Sequence, residues 1–329
     1  MKKKFGLIDL HLHLDGSLSL ESVKKLVEMQ NIEIPKNDAA LCKMLQVSDG
    51  CRDLNEYLEK FEFPCSLMQT TIGIKEAVKH LEAELAAQGL VYAEIRFAPQ
   101  LHTLQGLNQT QVVEAAIEGM GKSALKSNLI LCCMRGKDNY EANLETIHVA
   151  KAFLGRGIAA VDLAGAEALF PTADFADLFA LAKEMGLPFT IHAGEADGPA
   201  SVYQALEFGA KRIGHGVRSL EDTELMKRLK EEEITLELCP TSNLNTSIFG
   251  SYAEYPLREL MEAGIKVTIN TDNMTVSNTT VETELQHMVN ALQLTEEELR
   301  QLAVNAAEAS FADESTKKWM IEEIERRFA

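Results

Sequence analysis

Four short stretches of the sequence contain side chains that could bind a metal ion. His11 and His13 lie two residues apart at the end of an apolar run, so on a β-strand both would point to the same side. His192, His215 and Asp272 each also follow an apolar, strand-like run. Neutral imidazole and carboxylate are the ligand types found at catalytic zinc sites. These residues therefore predict a zinc site if the fold brings them together.

The ligand types also indicate what the site would do. Three imidazoles and one carboxylate would bind one Zn²⁺ ion and leave a position for water, whose pKa the ion lowers. We assign the ligands as His11, His13, His192 and Asp272. Glu195 lies three residues beyond His192, so its side chain can face a substrate and transfer a proton. His215 could orient the nucleophile and stabilise its developing charge.

The apolar pattern indicates which elements position these side chains. Short apolar or β-branched runs alternate with stretches whose apolar positions recur every three or four residues. We predict strands at 5–13, 91–97, 128–134, 158–164, 189–193, 212–216, 235–239 and 266–272. Eight such units predict an α/β fold, a (β/α)₈ TIM barrel, whose strands all end at the face where active sites are built. All five candidate residues from the four stretches fall at or next to these ends.

The connection between the first two predicted strands is much longer than a crossover helix requires. It contains residues 17–90, and its stretch 52–70 has large apolar residues at helical spacing. Because the insertion starts at the catalytic face, we predict a helical lid, with extra packing against the barrel wall as the alternative. Further helices follow the eighth strand, including 315–328. We expect residues 1–329 to form a single domain.

Composition excludes several classes of function. The chain has 329 residues, 46% of them hydrophobic and 25% charged, which is typical of a folded globular protein. Its formal charge of -18 disfavours nucleic acids and anionic membranes as partners. Lys2, Lys3 and Lys4 precede an apolar run that Asp9 interrupts, so we predict no signal peptide or membrane span and a cytoplasmic location.

The remaining histidines and the cysteines have simpler interpretations. His80, His148 and His287 lie in helical patterns and need no ligand, whereas His102 follows the second strand and could line the pocket. The six cysteines form no CxxC pair and are interpreted as reduced, structural thiols. Cys239 lies near the predicted active face, where a reactive role stays open.

Several motifs, taken in order, resemble the adenosine deaminase family of the metal-dependent hydrolase superfamily. They are residues 11–16 (HLHLDG), 92–99 (YAEIRFAP), 162–165 (DLAG), 190–195 (TIHAGE), 212–216 (RIGHG), 241–243 (TSN) and 270–272 (NTD). The resemblance covers most of the chain. It implies a (β/α)₈ barrel enzyme with one zinc ion that hydrolyses adenosine to inosine and ammonia. We expect deoxyadenosine to be converted to deoxyinosine as well, because no identified residue requires the 2'-hydroxyl.

The resemblance also implies a role for each matching residue. It assigns the same four zinc ligands, makes Glu195 the acid that protonates purine N1, and makes His215 and Asp272 the residues that align zinc hydroxide with C6. The substrate contacts that it implies are His13, Asp15, Gly165 and Asn273. Among these, Gly165 would donate its N–H to purine N3, and Asp15 would accept a bond from the ribose 5'-hydroxyl.

Two positions bear on the substrate. Related enzymes that act on free adenine tend to carry Glu where this chain has Asp15, so the shorter side chain favours a nucleoside, and its charge disfavours a 5'-phosphate. Asn273 stands where many family members have Asp. Purine N7 is only an acceptor, and the Asn273 amide can donate to it at any ordinary pH. Ala166 replaces a frequent acidic residue, which leaves a secondary polar contact in doubt.

Alternative functions stay open at this point. The chain could deaminate adenine or a modified adenosine such as aminofutalosine, or it could be an inactive nucleoside-binding barrel. A two-metal enzyme of the superfamily would need a lysine at the end of the fourth strand, where this chain has Val161-Asp-Leu-Ala-Gly165. We therefore expect one metal and a small-molecule purine nucleoside, and the sequence predicts no oligomeric state.

Overall fold

Eight parallel strands form the centre of the molecule in the part of the chain that the structure describes. The computed structural model describes residues 5–35, 37–48, 51 and 54–329. The lysines at 2–4 and the first two residues of the predicted stretch 52–70 therefore lie outside it. The strands are β1 (Ile8–His13), β2 (Tyr92–Phe97), β3 (Lys126–Met134), β4 (Ile158–Ala164), β5 (His192–Ala193), β6 (Arg212–His215), β7 (Thr235–Leu238) and β8 (Lys266–Ile269).

The strands close into a barrel. Strands β1 to β4 pair in order, as do β5 to β8, and every pair is parallel. Phe189 joins the two halves by a bridge to Val161 on β4. On the other side, Leu12 bridges Asp272, and the N–H of His13 donates to the Asp272 carbonyl at 2.7 Å. The predicted (β/α)₈ barrel is confirmed.

Six of the eight predicted strands extend too far, three of them by three residues: 5–13 begins at Ile8, 189–193 shortens to His192–Ala193, and 266–272 ends at Ile269. Pro188 has no N–H to donate to a ladder, and Phe189 forms only a single bridge. Left-handed backbone occurs at the end of β6 and beyond β8, where His215 has φ of 61° and Asp272 has φ of 58°. The chain therefore turns just where the candidate site residues occur.

Helices surround the barrel and connect its strands. They are α1 (Leu20–Gln30), α2 (Asp38–Leu45), α3 (Leu54–Leu58), α4 (Glu62–Ser66), α5 (Thr71–Gln88), α6 (Gln109–Gly119), α7 (Tyr140–Phe153), α8 (Ala176–Glu184), α9 (Pro199–Phe208), α10 (Thr223–Glu231), α11 (Pro240–Asn245), α12 (Leu257–Glu262), α13 (Val281–Leu292), α14 (Glu296–Ala309) and α15 (Glu314–Phe328). Helices α5 to α10 and α12 face the barrel through apolar stripes, as their periodicity predicts.

The insertion between β1 and β2 contains α1 to α5. The prediction of one helical stretch over 52–70 is wrong in detail, because the chain forms α3, a 3₁₀ turn at Glu59–Phe61 and then α4. Pro64 cannot donate to a carbonyl one turn earlier, which prevents a continuous α-helical ladder here. The lid function of this segment and the single-domain assignment stay predictions. None of the described helices has the length and apolar character needed to cross a membrane.

Extra helices after β8 complete the base of the barrel. Helices α14 and α15 bury Ala307, Met320 and Ile324 against Leu7 and Leu10 at the start of the chain. Helix α14 begins with a capping box between Thr295 and Glu298. These contacts hold the beginning of β1, whereas its two histidines lie toward its other end. The predicted helices after the eighth strand are therefore present.

We predict that Phe179→Ala destabilises the protein strongly. Phe179 on α8 is fully buried, stacks on Phe208 with ring centroids 5.8 Å apart, and contacts Phe189 edge to face. Its removal leaves a cavity, which should lower the free energy of unfolding in urea by about 3–5 kcal/mol. Leu169→Ala is the control, because Leu169 is 64% exposed and its truncation should cost about 0.5 kcal/mol or less. Equal losses in the two variants would contradict the prediction.

Candidate active site

The four predicted ligand residues converge at the carboxyl end of the barrel. One ligand atom from each of His11, His13, His192 and Asp272 lies within 4.8 Å of all the others. The Nε2 atom of His192 is 3.0 Å from that of His11 and 3.2 Å from that of His13. Asp272 Oδ1 lies 3.5 Å from His11 Nε2 and 3.4 Å from His13 Nε2. Strands β1, β5 and β8 thus meet at one point.

Hydrogen bonds on the far side of two imidazoles decide which nitrogen faces this point. His11 Nδ1 donates to Glu237 Oε2 at 2.8 Å, and His192 Nδ1 donates to Asp162 Oδ2 at 3.0 Å. When these imidazoles are neutral, each carries only this one N–H, so both Nε2 atoms present lone pairs. Two lone pairs 3.0 Å apart repel unless a proton or a metal ion lies between them. The donor set is therefore suited to hold a metal ion.

The spacing of the donor atoms fits one metal ion. With metal–ligand bonds of about 2.0 Å, adjacent ligand atoms around the ion lie roughly 3 Å apart. Four of the six separations run from 3.0 to 3.5 Å, and all six lie within 4.8 Å. Neutral nitrogen and anionic oxygen are also the donors that such an ion prefers. These residues fit a zinc-type centre.

The charge state of the ligands agrees with metal binding. Burial by itself would raise the pKa of Asp272, but a proton on His11, hydrogen-bonded to this carboxylate, holds that pKa well below its usual range. Despite burial and the charge of Arg96, the hydrogen bonds to Asp272 and Glu237 raise the pKa of His11, and a bound metal ion would take the place of its Nε2 proton. Burial lowers the pKa of His13 well below its usual value, despite the neighbouring Asp272. Asp272 is therefore ionised and His13 neutral near pH 7. These are the forms that coordinate a metal.

A buried ionic network supports the two oriented histidines. Arg96 donates to Asp162 at 2.9 Å and to Glu237 at 2.8 Å, so one guanidinium joins both of the carboxylates behind His11 and His192. Arg212 donates to Glu237 at 2.6 Å and to Glu94 at 2.5 Å. Sequence reasoning missed this network. An available signal was the presence of charged residues inside otherwise apolar strands, such as Glu237 within Thr235–Leu238.

Glu195 and His215 lie together beside the ligand cluster. Their side chains approach to 3.6 Å, between Glu195 Oε2 and His215 Nε2, and both are buried. Burial, reinforced by the charges of Asp272 and Glu167, raises the pKa of Glu195 well above its usual value. Burial lowers the pKa of His215 well below its own. The pair therefore consists of a protonated carboxyl and a neutral imidazole.

The tautomer of His215 follows from its other neighbour. Asn243 Nδ2 donates to His215 Nδ1 at 3.1 Å, while Asn243 Oδ1 accepts a bond from the Tyr255 hydroxyl at 3.0 Å. Nδ1 of His215 is therefore an acceptor, and Nε2 carries the proton. The Nε2–H group is available as a donor toward the site.

A cavity of about 250 Å³ opens onto these groups. All the predicted substrate contacts line it: His13, Asp15, Gly165 and Asn273. The insertion contributes Tyr57, Leu58 and Phe61 to its wall. The structure thus brings all the predicted site residues together; His11 belongs to the ligand cluster but is fully buried and does not line the cavity. His102 is buried against Phe97 and is not among the lining residues, in contrast to the role that we left open for it.

Three lining residues present polar atoms without a partner in the described part of the chain. They are Asp15 Oδ1, Glu195 Oε1 and Asn273 Oδ1. The other oxygen of Asp15 contacts Cys65 Sγ at 3.5 Å, and burial raises the pKa of Asp15 to about 6. Asn273 packs so closely on Gly16 that a Cβ there would lie 1.9 Å from Asn273 Oδ1. Only glycine at position 16 permits this arrangement.

Cys239 has the properties of a structural thiol. It is fully buried at the end of β7, and its Sγ lies 3.5 Å from the carbonyl of Glu237. Burial raises its thiol pKa well above the usual value, which suppresses the reactive thiolate. The sequence interpretation of this residue as structural agrees with its surroundings.

Comparison with known proteins identifies the family. The family model for adenosine deaminase matches residues 7–327. An adenosine deaminase from Haemophilus ducreyi is 47% identical over 334 aligned residues, which cover 99% of this chain and 97% of that protein. The chain belongs to the adenosine deaminase family. The resemblance predicted from the sequence motifs is confirmed, and the protein is an enzyme of a metal-dependent class of hydrolases.

Two solved structures share the fold of this chain. An adenine deaminase from Arthrobacter aurescens superposes with a TM-score of 0.87 at 28% identity, and the match covers 98% of each chain. An amidohydrolase from Burkholderia ambifaria with bound zinc has a TM-score of 0.87 at 20% identity, over 98% of this chain and 90% of that one. The latter supports the fold alone.

We predict that Asp162→Asn weakens metal binding by this adenosine deaminase family member. The change removes the charge that pairs with Arg96 and weakens the hold on the His192 ring. Loss of such a partner behind a ligand typically lowers metal affinity by about 10- to 100-fold. The affinity is measured by competition with a chelator. Glu82→Gln, in a buried carboxylate that accepts from Gly121 N–H and the Ser127 hydroxyl away from the cavity, is the matched control. Unchanged affinity in Asp162→Asn would refute the prediction.

Proposed function

We propose that the enzyme binds one zinc ion through His11, His13, His192 and Asp272 and uses Glu195 and His215 to deaminate a purine nucleoside. Its reaction is the hydrolytic deamination of adenosine to inosine and ammonia. One observation carries the assignment of roles: the same cavity combines the ligand cluster with a buried carboxyl group that has a free oxygen, Glu195 Oε1. A metal site and a proton donor are what hydrolysis at C6 requires.

A zinc ion held by these four residues would lower the pKa of a coordinated water molecule toward neutrality and so make it a nucleophile. All other steps fall to side chains. The carboxylate of Asp272, which burial has not protonated, accepts a hydrogen bond from the attacking oxygen and aligns it with C6. His215 donates from Nε2 to the attacking oxygen and stabilises the negative charge that develops on it.

Glu195 activates the purine ring. Purine N1 is an acceptor, so only a protonated carboxyl can donate to it, and the raised pKa of Glu195 keeps that proton in place near pH 7. Protonation of N1 draws electrons from C6 and makes it electrophilic. Because C6 lies next to N1 in the ring, a base whose N1 meets Glu195 has its amino group near the ligand cluster. The C6 hydroxyl of the resulting adduct passes its proton to the amino group, which leaves as ammonia as C6 becomes a carbonyl. The proton lost when the attacking water ionised restores Glu195.

The remaining contacts orient the nucleoside. The Gly165 N–H donates to N3, and the Asn273 amide donates to N7. Asp15 accepts a hydrogen bond from the ribose 5'-hydroxyl through Oδ1, the oxygen that has no partner in the described residues. His13 lies at the cavity wall, where it contacts the substrate as well as the metal. We also propose that the insertion, whose Tyr57 and Phe61 line the cavity, covers the bound purine as a lid.

The geometry favours a nucleoside over its rivals. A 5'-phosphate would bring negative charge next to the buried carboxyl of Asp15, which carries little compensation nearby. Deoxyadenosine meets the same contacts, since none of the proposed residues requires the 2'-hydroxyl. Adenine deserves a test because the adenine deaminase from Arthrobacter aurescens shares this fold. Free adenine would leave the polar oxygen of Asp15 unsatisfied.

We predict that Glu195→Gln loses activity but keeps its metal. The amide cannot protonate N1, so kcat for adenosine should fall by about 10²- to 10⁴-fold. Zinc per chain, measured by elemental analysis, should stay at the wild-type level because Glu195 is not a ligand. Glu82→Gln should retain normal kcat. A Glu195→Gln enzyme with near-normal turnover would refute the proposed acid.

The substrate preference is tested by steady-state kinetics on four compounds. We predict comparable kcat/KM for adenosine and deoxyadenosine, with adenine and adenosine monophosphate at least about 10²-fold lower because an unpaired polar group or a repelled charge remains at Asp15. In Asp15→Asn, discrimination against the monophosphate should decrease. Adenine turnover equal to or better than that of adenosine would overturn the nucleoside assignment.

A further inference from the structure

Glu167 is a buried carboxylate that the proposed mechanism does not use. It lies on the loop after β4, two residues beyond Gly165, and is 1% exposed. Its Oε1 accepts from the N–H of Gly194 at 2.7 Å and from the Ser201 hydroxyl at 2.5 Å. Its Oε2 accepts from the N–H groups of Glu195, Ala196 and Asp197 at 3.0, 2.8 and 3.0 Å. Five donors thus converge on one side chain.

The four backbone donors are consecutive residues of one loop. Residues 194–197 connect β5 to α9, and successive N–H groups that point to one side form a concave anion-binding arrangement. Here the bound anion is the carboxylate of Glu167. Gly194 has φ of 69°, and a Cβ on it would lie 2.5 Å from Val202 Cγ2. Glycine therefore allows the turn that points these N–H groups toward Glu167.

A second line of contacts fixes Glu167 in place. Arg135 donates to the Thr172 hydroxyl at 2.9 Å, Thr172 and Ser201 are hydrogen-bonded at 2.7 Å, and Ser201 donates to Glu167. Arg135 also donates to the carbonyl of His192 at 2.6 Å. The loop is thus attached to the rest of the barrel at both ends of the turn. All five of these groups are buried.

The side chain of Glu195 has few contacts of its own. Its Oε1 has no partner among the described residues, and its Oε2 reaches only His215, at 3.6 Å, which is beyond normal hydrogen-bond distance. The direction of the carboxyl group is therefore decided mainly by the backbone from which it projects. That backbone is held by Glu167 at Glu195 itself and at its neighbours on both sides.

We infer that Glu167 is a positioning residue that holds the Glu195 backbone so that the Glu195 carboxyl meets purine N1. The inference rests on the role proposed for Glu195. Glutamine at position 167 has the same size but only one acceptor oxygen, and its NH₂ group would face N–H donors. Glu167→Gln therefore leaves donors unpaired and lets the loop move. The substrate contacts at Asp15 and Asn273 lie on the loops after β1 and β8, are not hydrogen-bonded to Glu167, and stay unchanged.

The first measurement separates kcat from KM. A displacement of the acid of about 1 Å costs on the order of 10²-fold in rate, so Glu167→Gln should lower kcat by about 10- to 100-fold. KM for adenosine should change by less than about 3-fold, because ground-state binding uses other residues. Glu82→Gln is the matched control, since it also weakens a buried carboxylate bonded to a backbone N–H and a serine hydroxyl. Its kcat should stay normal even if its melting temperature falls.

The second measurement is a double-mutant cycle with Glu195→Gln. If Glu167 acts through Glu195, adding Glu167→Gln to the Glu195→Gln enzyme should lower kcat no further. Independent, multiplying losses would overturn the inference, as would a normal kcat for Glu167→Gln. An active Glu195→Gln single variant would instead refute the proposed function, so the two failures are distinguishable.

A milder variant covers the case in which Glu167→Gln does not fold. Ser201→Ala removes one of the five donors and leaves the carboxylate and the four backbone bonds. We expect kcat to fall several-fold with an unchanged KM. In the Glu195→Gln background the same change should have no effect on kcat. A Ser201→Ala enzyme with wild-type kcat, or one that loses only affinity for adenosine, would contradict the inference.

Discussion

The hydrogen bonds behind His11 and His192 are the constraint on which the rest of the site depends. Glu237 and Asp162 fix the protons on the two Nδ1 atoms, so both Nε2 atoms face the same point with lone pairs. Carboxylates buried this deeply would be costly alone, and Arg96 compensates both of them at once. The candidate metal ligands thus lie at one end of a buried ionic network that continues through the barrel to Arg212 and Glu94.

This arrangement explains why strands of a hydrophobic barrel contain so many charged residues. Removing one member would leave its partner buried and uncompensated, which is more destabilising than never having had the pair. The network also gives the imidazoles a fixed orientation before any metal arrives. Beside the ligand cluster, the Glu195 side chain has few hydrogen-bond partners among the described residues, and its direction depends on contacts of its backbone. The imidazoles are therefore oriented by hydrogen bonds to their side chains, whereas Glu195 is oriented through its backbone.

Residue type at the predicted strand ends was sufficient to predict the candidate metal-binding and catalytic side chains. His11, His13, His192, His215 and Asp272 all follow apolar runs, and the barrel topology brings those ends together. The sequence did not predict Glu237 or Asp162 as partners, because the pairing of His11 with Glu237 spans 226 positions and no local pattern encodes it. Strand ends were also misjudged. The left-handed backbone at His215 and Asp272 depends on tertiary contacts rather than on the intrinsic preference of either residue.

Closure of the barrel between β1 and β8 has a consequence for biosynthesis. The bridge from Leu12 to Asp272 joins the first strand to the segment that follows the last, and these two stretches contain three of the four candidate ligands. A nascent chain that has emerged only as far as β7 already carries every imidazole of the candidate site but lacks its carboxylate. The four candidate ligands therefore come together only after the segment beyond β8 has left the ribosome and paired with β1.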